Sequence, residues 1–153
     1  MSVHLALLAD HPELLADLAA SYQREWPYWY GVHGDATTDL KQRSRHTGLP
    51  ICLIAVVEGR AIGALALAAN AISVRPELTP CIIGFWVEPA RRNRGVGAQL
   101  LKAACGHARA SGVTCLYTST ETAPRLFLRE GWRKIDSVSR NGHTHDVYEI
   151  QLC

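Results

Sequence analysis

The sequence contains no long run of apolar residues. Its hydrophobic stretches fall well short of the roughly 18 residues that a helix needs to cross a bilayer. The apolar N-terminal segment has no basic residues ahead of it and soon reaches Asp10, His11 and Pro12, so it does not resemble a signal peptide. We therefore expect a soluble protein with no membrane partner.

Pairs of cysteines with metal-binding spacing are also missing. The five cysteines form no C-x-x-C pair and are scattered through apolar stretches, at positions 52, 81, 105, 115 and 153. This pattern predicts reduced, mostly buried thiols and a cytoplasmic protein. His143 and His145 are close in sequence, but no cysteine or acidic set with ligand spacing accompanies them, so no metal site is expected.

The chain has little charge imbalance. Its formal net charge is only +2, which is less than most nucleic-acid-binding domains carry, so no nucleic-acid partner is expected. It also has no repeats, low-complexity tracts or linkers. A length of 153 residues, with 48% hydrophobic and 20% charged residues, fits one globular domain spanning 1–153.

Hydrophobic periodicity predicts strands and helices in the order β-α-α-β-β-β-α-β-α-β-β. Asp35 is a candidate N-cap for the second helix, and Asn141-Gly142 predicts a tight hairpin turn. Antiparallel hairpins around one β-α-β unit predict a mixed sheet and an α+β class, or α/β by looser labels. The predicted strands lie at 3–9, 51–57, 61–70, 81–87, 113–118, 132–138 and 145–151, and the helices at 11–26, 36–45, 97–111 and 122–130.

The most informative stretch is an apolar strand, Cys81 to Val87, followed by a basic, glycine-rich turn. Arg91-Arg92-Asn93-Arg94 precedes Gly95-Val96-Gly97, which opens a helix. The first N–H groups of a helix lack intrahelical partners and its dipole favours negative charge, so the arrangement predicts a phosphate site. A dinucleotide fingerprint needs a third glycine where Leu100 stands, and a P-loop needs Gly-Lys-Ser/Thr. The loop matches neither of these motifs but does match R-x-x-G-x-G. The alternative to a phosphate site is a solvated arginine turn that merely precedes the helix.

Two signatures together resemble those of the GNAT family of N-acetyltransferases. The first is the R-x-x-G-x-G of Arg92, Gly95 and Gly97, which follows a V-x-P and precedes Gln-Leu-Leu. The second, from Thr120 to Trp132, resembles the family's A-x-x-L-Y-x-x-x-G-F. The predicted order of elements over 3–151 is also that of the family's fold.

The resemblance implies a mixed, mostly antiparallel sheet of about seven strands flanked by helices, with acetyl-coenzyme A between splayed fourth and fifth strands. The pantetheine arm would pair with the backbone of the fourth strand, much as a peptide adds to a sheet edge. Loop N–H groups would hold the pyrophosphate, and no metal is implied. The residues that the resemblance assigns to the coenzyme are Phe85, Trp86, Val87, Arg92, Asn93, Arg94, Gly95, Val96, Gly97, Ala98, Ala123, Arg125, Leu126 and Phe127.

The resemblance also implies the chemistry, with one departure. In the family an amine attacks the thioester carbonyl directly after losing a proton, and a backbone N–H near Val87 would hold the carbonyl oxygen. Many relatives protonate the leaving thiolate with the tyrosine of the second signature, but that position is Phe127 here. Tyr117, Tyr148 or water are alternative donors, and a free thiol's pKa of about 8.5 also permits unassisted departure.

The aromatic segment from Glu25 to Gly34 is the candidate acceptor pocket, together with the first two helices and the last hairpin. Glu25 is a candidate to anchor or deprotonate the amine. Packing of the loop onto the core is the alternative for the aromatic residues. Those predicted to line the pocket are Trp26, Tyr28, Trp29 and Tyr30. A small metabolite, an antibiotic and a peptide N-terminus all stay open as the primary amine.

Two other functions compete with acetyl transfer. Phe127 is the argument for a non-catalytic acyl-coenzyme A-binding module, which predicts binding without turnover. The arginine loop is the argument for an RNA-binding domain, which predicts salt-dependent RNA affinity that coenzyme A does not compete away. Dimers are common in the family, so a homodimer is possible.

Overall fold

Seven strands form one mixed sheet in the order β1-β2-β3-β4-β5-β7-β6, in a computed structural model that describes residues 2–121, 123–140 and 142–152. Only β4 and β5 pair in parallel; the other neighbouring strands are antiparallel. The strands are β1 (His4–Leu7), β2 (Ile51–Val57), β3 (Arg60–Ala68), β4 (Cys81–Val87), β5 (Cys115–Thr120), β6 (Arg133–Arg140) and β7 (His143–Gln151). The helices are α1 (Leu15–Glu25), α2 (Ala36–Arg43), α3 (Val96–Ala110) and α4 (Pro124–Arg129), with 3-10 turns at Leu8–Asp10, Pro12–Leu14 and Pro89–Arg91.

The sheet is covered on both faces. Every residue of β2 is buried, which explains its uninterrupted apolar sequence, because a strand covered on both sides has no solvent face. Helices α3 and α4 pack on one face, where Leu100, Leu101 and Phe127 join the core. Helices α1 and α2 pack on the other, where Leu18, Tyr22 and Leu40 do so. We call these the α3 face and the α1 face.

The predicted order of elements and the α+β class are confirmed, and most differences lie at element ends. β5 begins at Cys115 rather than 113, because the Val113 N–H donates to the Ala108 carbonyl (3.0 Å) and closes the end of α3. The predicted helix 11–26 starts as a 3-10 turn and becomes α-helical only at Leu15. Asp35 caps α2 as predicted, since its carboxylate accepts from the Thr38 N–H at 2.9 Å.

The last hairpin is longer than predicted. β6 and β7 continue to Arg140 and His143, which form the closing pair. Of the predicted turn, Gly142 has φ +78°, a left-handed conformation that suits a two-residue hairpin loop, while Asn141 lies outside the described residues. Thr122, the first residue of the predicted last helix, also lies outside them. Within the described ranges, no helix has both the length and the apolar character needed to cross a membrane.

Candidate active site

The strands β4 and β5 separate soon after they meet. Cys81 and Tyr117 form their one bridge in the described chain, and the Tyr117 N–H donates to the Pro80 carbonyl at 3.1 Å. The Thr118 hydroxyl then donates to the Ile82 carbonyl at 3.1 Å, and beyond this point no described pair links the two strands. β5 stays paired with β7 along its length, so a gap opens within the sheet.

A bulge in β4 lies on the edge of this gap. Gly84 and Phe85 together oppose the single residue Leu65 of β3, and Gly84 has φ +57°. The Tyr22 hydroxyl, fully buried on the α1 face, donates to the Gly84 carbonyl at 2.5 Å. Burial raises the pKa of Tyr22 well above its ordinary value, so it stays a neutral donor. The bulge is thus fixed from the α1 face.

The loop after β4 forms the mouth of the gap on the α3 face. Asn93 and Gly95 both have left-handed backbones (φ +64° and +84°), and no side chain caps α3 at Gly95. Among the described residues, no N-cap side chain bonds the first N–H groups of α3, and this leaves them available to an anion. Gly97 allows close approach: a Cβ there would lie 3.0 Å from Leu126 Cδ2 and 3.3 Å from Phe85 Cζ.

These features border one cleft of about 820 Å³ that passes through the gap from one face of the sheet to the other. Its volume is within the range of small-molecule sites. All residues that the sequence predicted for the coenzyme line it except Arg94, which is exposed outside it. Arginines gather on the lining, at Arg91, Arg92, Arg125 and Arg129, whereas its acids are Glu25 and Glu121. The cleft therefore favours a polyanionic ligand.

The Arg92 side chain is exposed, but it is bound at the end of β4. Its Nε donates to the Val87 carbonyl at 2.8 Å, and its Nη2 lies 2.7 Å from Glu25 Oε1 at the end of α1. The predicted coenzyme arginine and the predicted acceptor carboxylate are thus direct partners. Both Arg92 and Glu25 line the cleft, close to the end of β4.

The aromatic segment divides into two pairs. Trp26 and Tyr28 line the cleft, and Tyr28 is 77% exposed. Trp29 lies outside the lining, where its ring contacts His33 and the Arg140 guanidinium. Tyr30 also lies outside it and is half-buried; burial, helped by Asp39, raises its pKa to about 12. The structure therefore brings two of the four predicted pocket aromatics to the site.

Neither predicted tyrosine donor lines the cleft. Tyr117 packs against the buried cluster of Ile72, Leu78, Cys81 and Val147. A hydrogen bond with Cys115 and burial raise the pKa of Tyr117 to about 12. Tyr148 is buried beneath Phe127, with the two rings stacked at 5.7 Å. Phe127 itself lines the cleft, and its ring is also in edge contact with Phe85.

Glu121 and His145 line the cleft as well, although the sequence did not place Glu121 in the site. Their side chains meet at 3.1 Å, because β7 pairs with β5 and brings the two strand ends together. Only the pairing register could have shown this. No group of three His, Cys, Asp or Glu side chains in the described parts of the chain is placed to hold a metal ion.

The sequence matches the model of the Acetyltransferase (GNAT) family over residues 16–132. This covers most of the chain. The protein belongs to the GNAT family of acetyltransferases. It is therefore an acyltransferase that uses acetyl-coenzyme A for N-acetylation. No curated protein sequence gives a match.

Solved structures show the same fold. An aminoglycoside 6'-N-acetyltransferase complexed with coenzyme A has a TM-score of 0.81 and 13% identity, over 100% of this chain and 98% of that one. The aminoglycoside 6'-N-acetyltransferase from Enterococcus faecium has a TM-score of 0.79 and 13% identity, over 100% and 98%. A GNAT-family acetyltransferase from Streptococcus pneumoniae has a TM-score of 0.75 and 17% identity, over 99% and 100%.

The residues present in this GNAT protein fit coenzyme A. The α3 N-terminus offers uncapped N–H groups, and Gly97 leaves open the space that a Cβ would fill between Phe85 and Leu126. The backbone of β4 beyond Ile82 has no strand partner on the β5 side in the described chain, so its edge is free for the pantetheine amides. These are the groups that a phosphate-bearing, amide-containing ligand requires.

Proposed function

We propose that this GNAT enzyme transfers the acetyl group directly to a primary amine of a small molecule or a peptide N-terminus, without a covalent enzyme intermediate. The observation that carries the proposal is the cleft itself, which passes through the sheet between β4 and β5. Phosphate-binding features lie at its α3-face mouth, while Glu25, Trp26 and Tyr28 lie at its α1-face mouth. Donor and acceptor can thus enter from opposite faces and meet in the gap.

The coenzyme side is assigned residue by residue. Backbone N–H groups from Asn93 to Ala98 hold the pyrophosphate, and Arg92 and Arg94 add positive charge. The backbone of Phe85, Trp86 and Val87 pairs with the pantetheine arm. The short helix, through Ala123, Arg125, Leu126 and Phe127, borders the far side. When bound, acetyl-coenzyme A supplies the activated acetyl thioester.

Backbone groups of β4 also act on the reacting carbonyl. Its oxygen gains negative charge as the amine adds, and an N–H near Val87 at the edge of the gap stabilises that charge. The bulge at Gly84 turns the strand three residues before Val87, and Tyr22 holds the bulge rigid. A donor fixed before the reaction contributes more than one that must reorient.

The acceptor side suits a cation. Trp26 and Tyr28 present aromatic surface, and Glu25 presents a carboxylate, to whatever enters the α1-face mouth. Aromatic faces and carboxylates both favour an ammonium group over a neutral or anionic one. Two of the structural relatives are named as aminoglycoside 6'-acetyltransferases, so an aminoglycoside belongs among the amines to test.

The leaving thiolate departs without a tyrosine donor. Phe127 occupies the position of the usual tyrosine, and Tyr117 and Tyr148 are packed away from the lining of the cleft. Since a free thiol has a pKa of about 8.5, departure near neutral pH is tolerable, with water as the proton source. The free cysteines at 52, 81, 105 and 115 accord with a cytoplasmic enzyme.

The test is thiol release from acetyl-coenzyme A over a panel of primary amines that includes an aminoglycoside, a polyamine and a peptide with a free N-terminus. Amine-dependent release, with the acetylated amine identified by mass spectrometry, supports the proposal. Coenzyme A binding by calorimetry without turnover on any amine supports instead the non-catalytic module that Phe127 suggests.

A further inference from the structure

The bulge of β4 and the end of β5 face each other across the gap. From the bridge of Cys81 with Tyr117, each strand continues for three residues, to Gly84 and to Thr120. At about 3.3 Å per residue, both points lie about 10 Å beyond the bridge. Glu121 follows directly after Thr120 and lines the cleft. A group held by Glu121 is therefore opposite the bulge of β4, three residues before Val87, in the gap that the cleft occupies.

His145 reaches this place from the α1 face. Tyr148 points to the α3 face, where it stacks on Phe127, and Val147 points to the opposite face. Because side chains alternate along a strand, His145 shares the face of Val147. Its side chain is 20% exposed and lines the cleft. The acceptor amine is proposed to enter from this same face.

Glu121 holds the imidazole. His145 Nε2 lies 3.1 Å from Glu121 Oε1, whereas His143 Nδ1 is 3.5 Å from the same oxygen and its side chain is 67% exposed. In the tautomer in which Nε2 donates to the carboxylate, the lone pair of His145 is on Nδ1. A carboxylate in this position orients the ring and stabilises the imidazolium that forms on proton uptake.

The other ionisable groups on the described lining are less suited to accept a proton. Glu25 is already bound by the Arg92 guanidinium at 2.7 Å. The arginines are protonated at all accessible pH values and have no free lone pair. The Tyr28 phenol, also on the lining, would have to lose its own proton before it could accept one, and Tyr117 lies outside the lining.

We propose that His145 is the general base of the transfer and that Glu121 is its positioning residue; this rests on the proposed function. The ammonium nitrogen of the acceptor gives one proton to Nδ1 of His145. The neutral amine then forms the C–N bond to the acetyl carbon as the C–S bond breaks. The second amine proton reaches the leaving thiolate through water, and His145 releases its proton to water, so one proton is produced per turnover.

The charged groups near the imidazole lie on β5, β6 and β7. On β6, Asp136 and Arg140 share its face, where Asp136 is bound by Arg75 and the Arg140 guanidinium lies over the Trp29 ring. Glu121 faces it from the end of β5, and His143 lies two residues away on β7. Its partner on β6 is the uncharged Val138. Asp146 points to the other face, where it is 3.3 Å from the Lys134 ammonium. The pH dependence of the rate should accordingly change when His145 is replaced and stay unchanged when His143 is replaced.

The test compares His145→Gln with His143→Gln, a matched control on the same strand and the same carboxylate. Each is assayed from about pH 5.5 to pH 9.5 at saturating acetyl-coenzyme A, with an amine turned over by the wild type. His145→Gln should lower kcat about 10²- to 10³-fold near neutral pH, as expected for loss of a general base. The deficit should shrink as pH rises, because more amine is already neutral. The kcat of Glu121→Gln should lie between those of His145→Gln and His143→Gln.

A second readout separates this role from a structural one. Coenzyme A affinity, measured by calorimetry, should stay within about twofold of the wild type for all three variants, because none of the three replaced side chains is assigned to coenzyme binding. A wild-type kcat and pH profile in His145→Gln would overturn the assignment of His145 as the general base, and so would an equal loss of kcat in His143→Gln. Either result would leave the proposed function intact. A wild-type enzyme inactive on every amine would overturn the proposed function, and the general base with it.

Discussion

Arg92 and Glu25 form an ion pair at the end of β4, on the edge of the cleft, with 2.7 Å between Nη2 and Oε1. Arg92 belongs to the loop proposed to hold the coenzyme's pyrophosphate, and Glu25 belongs to the acceptor side. The pair joins two surfaces that bind different substrates. The guanidinium and the carboxylate therefore neutralise each other's charge.

Glu25→Gln should therefore tighten coenzyme A binding. The pyrophosphate competes with Glu25 for Arg92, and an exposed ion pair is worth about 0–1 kcal/mol, which corresponds to an affinity gain of up to about fivefold. Calorimetry at low salt, without acceptor, measures this. Glu13→Gln, a change at an exposed acid remote from the cleft, should have no effect. Weaker binding by Glu25→Gln would show that the two charges do not compete.

Gly97→Ala should weaken coenzyme A binding about tenfold or more, because its Cβ would lie 3.0 Å from Leu126 and 3.3 Å from Phe85 and narrow the cleft. Gly106→Ala is the matched control in the same helix, where a Cβ has open space. It should leave affinity unchanged and raise the free energy of unfolding by about 0.5–1 kcal/mol. Calorimetry and urea denaturation give the two quantities; equal affinities for both variants would contradict the loop assignment.

Tyr22→Phe should destabilise the protein by about 1–2 kcal/mol, because the Gly84 carbonyl loses the buried hydroxyl that donates to it at 2.5 Å. The bulge would then be less rigid. We expect kcat to fall while the KM for acetyl-coenzyme A changes little. Urea denaturation and steady-state kinetics test the two parts. Unchanged stability would mean that the bulge is held by the strand pairing alone.

Asp35→Ala should lower the melting temperature in a pH-dependent way. Hydrogen bonds from the Thr38 N–H and hydroxyl hold the pKa of Asp35 below its ordinary value. A lowered folded-state pKa means that the cap stabilises the protein fully above the unfolded value of about 3.9. That contribution is lost as pH falls through the lower folded-state pKa. Scanning calorimetry across this range should show the variant and wild type converging, whereas Asp35→Asn should keep a cap at every pH.

Local patterns carried most of what the sequence predicted. The strand ending at Val87, the turn of Arg91 to Gly97 and the helix after it are adjacent in the chain, so their spacing alone predicts a phosphate site. The cap at Asp35 is equally local. In contrast, the partner of Arg92 is Glu25, which is far away in sequence, and no pattern in either segment predicts this ion pair.

The aromatic segment and the last hairpin show why the rest was not predictable. Trp26 to Tyr30 lie in a loop without periodicity, so nothing in the sequence says that Trp29 and Tyr30 turn away from the cleft. The contact of Glu121 with His145 depends on the register between β5 and β7. A register shift of one residue would have moved His145 to the other face.

Among the described residues, β4 and β5 are paired only by the bridge of Cys81 with Tyr117, so the sheet consists of two parts, β1 to β4 and β5 to β7. Each part has its own backbone ladder, and in the described chain the two ladders are paired with each other at one end only. A ligand lying along the gap contacts both parts of the sheet, so its binding free energy stabilises their association. Occupancy by the cosubstrate should then couple the unfolding of the two halves, so that the substrate completes the scaffold on which it reacts.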